Sequence, residues 1–317
     1  MTELADLFPD FATRRFTAPA GHIFARVGGS GPPLLCLHGY PQTHVCWHRL
    51  APALAGEYTV IVMDLRGYGQ SSTPPSDPEH TVYSKRAMAA DCIAVMRACG
   101  HERFIVMGHD RGARVGYRLA LDHPESVAGL ITLDILPTAE VWRRMTAESA
   151  FSAYHWQFLA QPHPLPETLI AAAPEYYVEH TLRSWTKDRT LSCFAPAALA
   201  HYRLLLGAPE RVHAVCEDYR AGATIDRMAD EADRNATHKI TCPTLILWGS
   251  DYVGKGIADP LDVWRAWCTD VQGEQIVSGH FLAEEKPDAT LSALRPFLRD
   301  VRRAADTAAL DAVKRMP

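Results

Sequence analysis

No stretch of this chain approaches the roughly 18 consecutive apolar residues of a membrane-spanning helix, so no membrane segment is expected. Basic blocks are missing as well. The net charge is −5 and the lysines and arginines are dispersed, which argues against a nucleic-acid or anionic-membrane partner. The start, Met1-Thr2-Glu3-Leu4-Ala5-Asp6, has neither the basic region nor the apolar core of a signal peptide. The eight cysteines include no C-x-x-C pair and no His/Cys cluster at zinc spacing. Cys36, Cys92 and Cys242 sit in or beside apolar runs and read as small core residues. A reducing cytoplasm is the expected compartment, and neither a metal nor an organic cofactor is expected. Repeats and low-complexity tracts are absent, and Pro74-Pro75-Ser76-Asp77-Pro78 reads as a loop. What is left is an ordinary globular composition, 47% hydrophobic and 22% charged over 317 residues. That is enough for one large α/β domain with an insertion.

The most informative segment is Gly108-His109-Asp110-Arg111-Gly112. It follows the apolar run Phe104-Ile105-Val106-Met107 and precedes the helix-like Ala113-Arg114-Val115-Gly116-Tyr117-Arg118-Leu119-Ala120. A strand, a tight glycine turn and a helix make a nucleophile elbow, here with aspartate where esterases carry serine. A serine needs a base to attack acyl carbon. A carboxylate is already ionised at neutral pH and can displace a leaving group from saturated carbon, giving an ester that water must cleave.

Three further segments supply context. Leu34-Leu35-Cys36-Leu37-His38-Gly39-Tyr40-Pro41 is a strand ending in a His-Gly-x-Pro turn, so the backbone N–H groups of Tyr40 and Arg111 would form an oxyanion hole. Val60-Ile61-Val62-Met63 runs into the glycine loop Asp64 to Ser71. Val277-Ser278-Gly279-His280-Phe281 places a histidine after the last short strand. Strand candidates lie at 22–27, 34–37, 58–63, 103–108, 127–134, 244–249 and 273–277, alternating with helix candidates at 83–99, 111–122, 260–268 and 288–303. Between Asp134 and Thr244 the alternation stops, and short helices are expected over Val141–Ala160, Glu175–Trp185, Pro196–Leu206 and Pro209–Ala221. The order nucleophile, acid, histidine resembles that of the α/β-hydrolases. The resemblance implies a mostly parallel eight-stranded sheet, with residues 1–137 and 244–317 as core and 138–243 as a helical cap over the edge where ligands bind.

Two carboxylates at strand ends could orient His280: Asp134, after Leu130-Ile131-Thr132-Leu133, and Asp251, after Leu245-Ile246-Leu247-Trp248-Gly249-Ser250. Arg111 and Arg114 fall on the first turn of the helix that follows Asp110, where positions i and i+3 share a face and the helix N-terminus adds positive potential. Two guanidinium groups beside the nucleophile make a fork for a carboxylate, which points to a small α-halo acid substrate.

Within the α/β-hydrolases the chain resembles the haloacetate (fluoroacetate) dehalogenases, in Asp134-Ile135-Leu136-Pro137-Thr138, in Arg111, in the pair His155-Trp156 and in Tyr219. That resemblance implies Asp134 as the third member of the triad, His155, Trp156 and Tyr219 as halide donors, and a homodimer. Imidazole, indole and phenol each offer one donor, a set suited to compact, strongly hydrated fluoride. Trp185 is placed at the entrance, His109 is expected to turn away from the nucleophile, and His22, His48, His101 and His123 read as surface or structural. An epoxide hydrolase sharing the triad would use two cap tyrosines, for which Tyr154 and Tyr219 are candidates, although an uncharged epoxide gains little from Arg111. A non-catalytic ligand receptor on the same fold is the other alternative.

Overall fold

The computed structural model describes residues 4–256 and 259–314. Segments such as Leu34-Leu35-Cys36-Leu37 and Val60-Ile61-Val62-Met63 are apolar at every position, so they must be covered on both faces, as in the parallel centre of an α/β sheet. Eight strands, β1 (Ala12–Ala18), β2 (Gly21–Gly28), β3 (Pro33–Leu37), β4 (Thr59–Met63), β5 (Phe104–His109), β6 (Val127–Leu133), β7 (Thr244–Gly249) and β8 (Val271–Ile276), form one sheet. Their spatial order is β1-β2-β4-β3-β5-β6-β7-β8. Strands β3 to β8 run parallel, while β2 pairs antiparallel with both β1 and β4. The seven expected strands are found within two residues of their bounds.

Strand β1 was not expected. Its sequence, Ala-Thr-Arg-Arg-Phe-Thr-Ala, is polar and largely exposed, as an edge strand that must resist further pairing has to be. Helices α1 (Ala51–Leu54), α2 (Lys85–Ala98) and α3 (Arg111–Asp122) connect the first strands. Between β6 and β7 the chain forms α4 (Thr138–Arg143), α5 (Ala147–Ser152), α6 (Tyr154–Leu159), α7 (Leu165–Ala172), α8 (Pro174–Trp185), α9 (Pro196–Leu205), α10 (Pro209–Ala223) and α11 (Ile225–Asn235). The rest comprises α12 (Val253–Gly256), α13 (Pro260–Trp264), α14 (Leu282–Glu285) and α15 (Pro287–Lys314).

Several helical expectations need correcting. Val141–Ala160 is three helices rather than one, because Thr146 and Ser149 form a reciprocal capping box that starts α5 afresh. Helix α7 was missed because it opens behind a proline-rich run, and α11 because its sequence, Ile-Asp-Arg-Met-Ala-Asp-Glu-Ala-Asp-Arg-Asn, is mostly charged. Helix α13 stops at Trp264 instead of 268, and α15 continues to Lys314 instead of 303.

One continuous apolar cluster joins sheet residues such as Leu35, Ile61, Val106 and Ile131 to Trp156, Leu182, Trp185 and Tyr219 of the inserted helices. The register sets Leu37 beside Gly108, His109 beside Leu133, and Leu133 beside Leu247, so the C-terminal ends of β3, β5, β6 and β7 open at one level. Ligands bind at that edge of such sheets. Among the described residues no helix is long and apolar enough to cross a membrane.

Candidate active site

Asp110 sits at the sharp turn from β5 into α3 with φ 45° and ψ −116°. A non-glycine residue held there stores about 1–3 kcal/mol of strain. It is secured by its amide to Leu133 O (3.3 Å) and by its carbonyl, which accepts from the Arg114 amide (3.1 Å). Two close approaches make the turn specific to glycine. A Cβ at Gly112 would lie 2.4 Å from the carbonyl oxygens of Leu37 and His38, and one at Gly39 would lie 2.3 Å from Asp110 Cβ. Stripped of side chains there, the β3 turn closes on the nucleophile, and the Tyr40 amide donates to Asp110 Oδ1 at 2.9 Å. The Arg111 amide belongs to the first turn of α3, whose N–H groups have no partner within the helix.

His280 Nδ1 lies 2.6 Å from Asp134 Oδ2, and its Nε2, without a hydrogen-bond partner, is 3.9 Å from Asp110 Oδ2. Asp134 (φ 55°) ends β6 and is itself held by the Gly249 amide on Oδ1 at 2.9 Å. The structure brings Asp134, and not Asp251, to His280: Asp251 is paired with Lys187 (2.7 Å) at the mouth of the cavity. His109 turns its Nε2 to the His280 carbonyl (2.8 Å), away from a catalytic position, as expected.

Burial pushes the His280 imidazole down to about 4, only partly opposed by the Asp110 charge. Burial likewise pushes Asp134 up, against the pull of the Gly249 amide. For Asp110, burial raises the pKa, but His280, Arg114, Arg111 and His109 outweigh it and hold the carboxyl below its ordinary value. The nucleophile candidate is thus anionic and the base candidate neutral across the neutral range.

The two arginines behave differently from one another. Arg111 was expected to offer its full fork to a ligand. Instead its Nε and Nη2 are committed to Asp218 at 2.9 and 2.7 Å, and only Nη1 lacks a partner. Asp218 also accepts from Tyr68 Oη (2.8 Å) and from Lys85 Nζ, so a buried ionic group anchors α10 to the elbow helix. Arg114 is buried and, among the described residues, has no carboxylate within ion-pair distance. Its Nη1 donates to Leu136 O (2.9 Å) and Thr138 Oγ1 (3.2 Å), and its Nε is unpaired.

His155, Trp156 and Tyr219 converge from α6 and α10. The ring centroids of His155 and Trp156 lie 5.8 and 6.1 Å from that of Tyr219. Tyr219 in turn stands 4.3 Å from the Arg111 guanidinium carbon, and Trp156 4.5 Å from that of Arg114. Burial drives His155 down to about 3, so it is a neutral imidazole, and its Nδ1 has no partner. Trp185, expected at the entrance, is instead buried 4.4 Å from His155 and 5.3 Å from His280, between the two groups, and lines the cavity there. A cavity of about 540 Å³ reaches Asp110, Arg114, Asp134, Trp156, Trp185 and Tyr252. Arg111, His155 and Tyr219 lie outside its lining, and so does Tyr154, which packs with His155, Phe158 and His180.

Sequence reasoning missed Asp218, Lys85 and Tyr252. Tyr252 packs against His280 with centroids 4.2 Å apart and the rings tilted by 38°. Its only signal was adjacency to the strand-end Asp251, and that of Asp218 its place before Tyr219. Nothing in the sequence marked Lys85.

Comparison with known proteins agrees with this geometry. Residues 32–287 match the alpha/beta hydrolase fold family. A fluoroacetate dehalogenase from Burkholderia sp is 44% identical over 93% of this chain and 96% of its own length. A soluble epoxide hydrolase from Corynebacterium sp. (strain C12) is 30% identical over 86% of this chain and 92% of its own. The crystal structure of a candidate alpha/beta hydrolase from Nostoc sp PCC 7120 is 50% identical and superposes with a TM-score of 0.89, covering 92% of this chain and 99% of that one.

Proposed function

The chain belongs to the alpha/beta hydrolase fold family, and we propose that it is a hydrolytic dehalogenase acting on haloacetates, fluoroacetate and chloroacetate, to give glycolate and halide. The observation that carries this reading is Arg114. A buried cation without a carboxylate partner, lining the same cavity as an ionised Asp110, is left for the substrate to neutralise. A haloacetate carboxylate on Arg114 and on the free Nη1 of Arg111 sets its α-carbon toward Asp110.

Asp110 Oδ2 displaces the halide from that carbon. The C–O bond forms as the carbon–halogen bond breaks, and the anion leaves toward His155, Trp156 and Tyr219. These donors act on charge that develops only as the bond breaks, so they lower the barrier rather than the binding energy. His280 Nε2, held by Asp134, then takes a proton from water, and the hydroxide attacks the Asp110 ester carbonyl. The resulting oxyanion is received at Oδ1 by the amides of Tyr40 and Arg111. Collapse expels the hydroxy acid, whose alkoxide takes back the proton from His280. Residues 138–243 act as a cap that covers this chemistry, and no cofactor enters any step.

An epoxide hydrolase would share the nucleophile and base, and a soluble epoxide hydrolase is among the relatives of this chain. The arginines separate the two readings, because a neutral epoxide has no charge to place on Arg114. The deciding experiment measures halide release from fluoroacetate, chloroacetate and chloroacetamide beside diol formation from styrene oxide. Haloacetate should be preferred over its amide by about tenfold to a hundredfold or more, the worth of a charge-assisted contact of roughly 1.5–3 kcal/mol. Equal use of acid and amide, or turnover of the epoxide alone, overturns the proposal.

A further inference from the structure

Outside the catalytic cavity, three side chains that have no part in the chemistry above converge where α7 meets α10. His163, four residues ahead of Glu167, and His213 on α10 each direct Nδ1 at the same carboxylate oxygen, Glu167 Oε1, at 3.3 and 3.0 Å. All three ligand atoms lie within 4.8 Å of one another. The imidazole rings stand nearly perpendicular, 5.3 Å apart. We propose that His163, Glu167 and His213 form a binding site for one borderline divalent cation such as zinc, which clamps α7 to α10.

The spacing fits the ion. Tetrahedral zinc bonds to nitrogen and oxygen are about 2.0–2.1 Å long, which sets neighbouring ligand atoms about 3.3 Å apart. The two Nδ1–Oε1 separations therefore need only small adjustment to admit an ion between them, and solvent reaches His163 to complete the shell.

The surroundings fit as well. Ser76 Oγ lies 3.0 Å from His213 Nε2 and can receive the proton there, which leaves the Nδ1 lone pair for the metal. Such outer partners fix the tautomer of a ligating histidine. Glu167 is steadied by Arg220, whose Nη1 and Nη2 reach its two oxygens at 2.8 and 3.1 Å. That guanidinium is shared with Glu217 Oε1 at 2.8 Å, so two carboxylates face one arginine and the group carries a net negative charge before any cation arrives. Imidazole with carboxylate selects zinc, copper or nickel and not magnesium, which wants hard oxygen ligands. The competing occupant is a proton on each imidazole, which would satisfy Glu167 without any metal.

Chelator-stripped protein titrated calorimetrically with zinc chloride, followed by thermal unfolding with and without the metal, tests the proposal. Wild type should bind one zinc that is absent from both His163→Ala and His213→Ala, and zinc should raise its unfolding temperature but not theirs. Both histidines are partly exposed, so the variants keep the fold. Ser76→Ala should weaken the same site about tenfold to a hundredfold, and magnesium should not compete. Absence of zinc binding by wild type at 100-fold molar excess, or equal affinity and stoichiometry in both histidine variants, overturns it.

Discussion

Arg111 and Asp218 grip one another through two parallel hydrogen bonds of 2.9 and 2.7 Å, with neither side chain exposed to solvent. The pair links the residue after the nucleophile to the residue before Tyr219, and so ties the elbow to the α10 helix. Burial costs this ion pair dearly, and Arg111 and Lys85 together hold Asp218 well below the usual carboxylate range. Asp218→Asn leaves Arg111 without a counter-charge and Lys85 with Asp226 alone, at 3.5 Å. The expected outcome is a loss of about 3–5 kcal/mol of unfolding free energy. Denaturant unfolding of the variant checks it, and an unchanged midpoint would show that the pair does not hold the site.

The dyad of His280 and Asp134 makes a second prediction. If the ester at Asp110 needs His280 only for its hydrolysis, His280→Gln incubated with chloroacetate should release about one halide per enzyme and accumulate a carboxymethyl group on the Asp110 peptide, read by mass spectrometry. Asp134→Asn should cost about 10,000-fold in kcat, as loss of a triad orienter does. Asp251→Asn, which breaks only a half-exposed pair with Lys187, should leave turnover nearly unchanged. The reverse ranking would move the orienting acid to the seventh strand.

Much of this site was legible in the sequence because its parts announce themselves locally. The elbow is an apolar run, a glycine and a helix, and the triad residues sit directly after strand-like segments. What stayed hidden depends on distant pairing. Helix α10 buries Glu217, Asp218, Tyr219 and Arg220 in succession, so no polar face betrays which charges are inside. Lys85 opens α2 on the far side of the sequence, and only folding puts it on Asp218. The commitment of half the Arg111 fork follows from that same hidden acid. At the sheet edge, β1 gave no signal because Arg14, Arg15 and their exposed neighbours leave it no buried apolar face to read.

The buried histidines make stability depend on pH in a definite direction. His280 and His109 are driven down to about 4 and His155 to about 3, each by burial first. Unfolded, each would bind a proton near pH 6.5, so between that value and about 4 the unfolded chain holds more protons than the folded one. Stability present above pH 6.5 is therefore lost progressively as pH falls toward 4. Asp134 and Glu284, both pushed up to about 8 by burial, act in the opposite sense, because the folded chain holds their protons between about pH 8 and 4. Thermal unfolding across pH 4 to 8 should therefore show a midpoint highest near pH 6.5 that falls on the acid side. Turnover should persist well below pH 6.5, since Asp110 stays ionised for the displacement and neutral His280 survives for the hydrolysis of the ester. An acid limb of kcat centred near 6.5 would contradict the burial argument.

The three ring donors yield the sharpest test. Fluoride is a poor leaving group whose departure needs strong stabilisation, whereas chloride leaves with less help. His155 is neutral, and its Nδ1 is without a partner beside Tyr219, so both can tighten on an anion as its charge develops. Removing one such donor costs on the order of a hundredfold in rate where the transition state depends on it. Tyr219→Phe and His155→Asn should each lower fluoroacetate turnover by that order while affecting chloroacetate turnover far less. Trp156→Phe should move in the same direction, although the indole also packs against Arg114 and Tyr219, and part of its loss would fall on both substrates. Steady-state fluoride and chloride release, compared variant by variant, reads the ratio directly. Parallel losses on the two substrates would mean that these rings shape the cavity wall without receiving the halide, and the pocket would have to be sought elsewhere around Asp110.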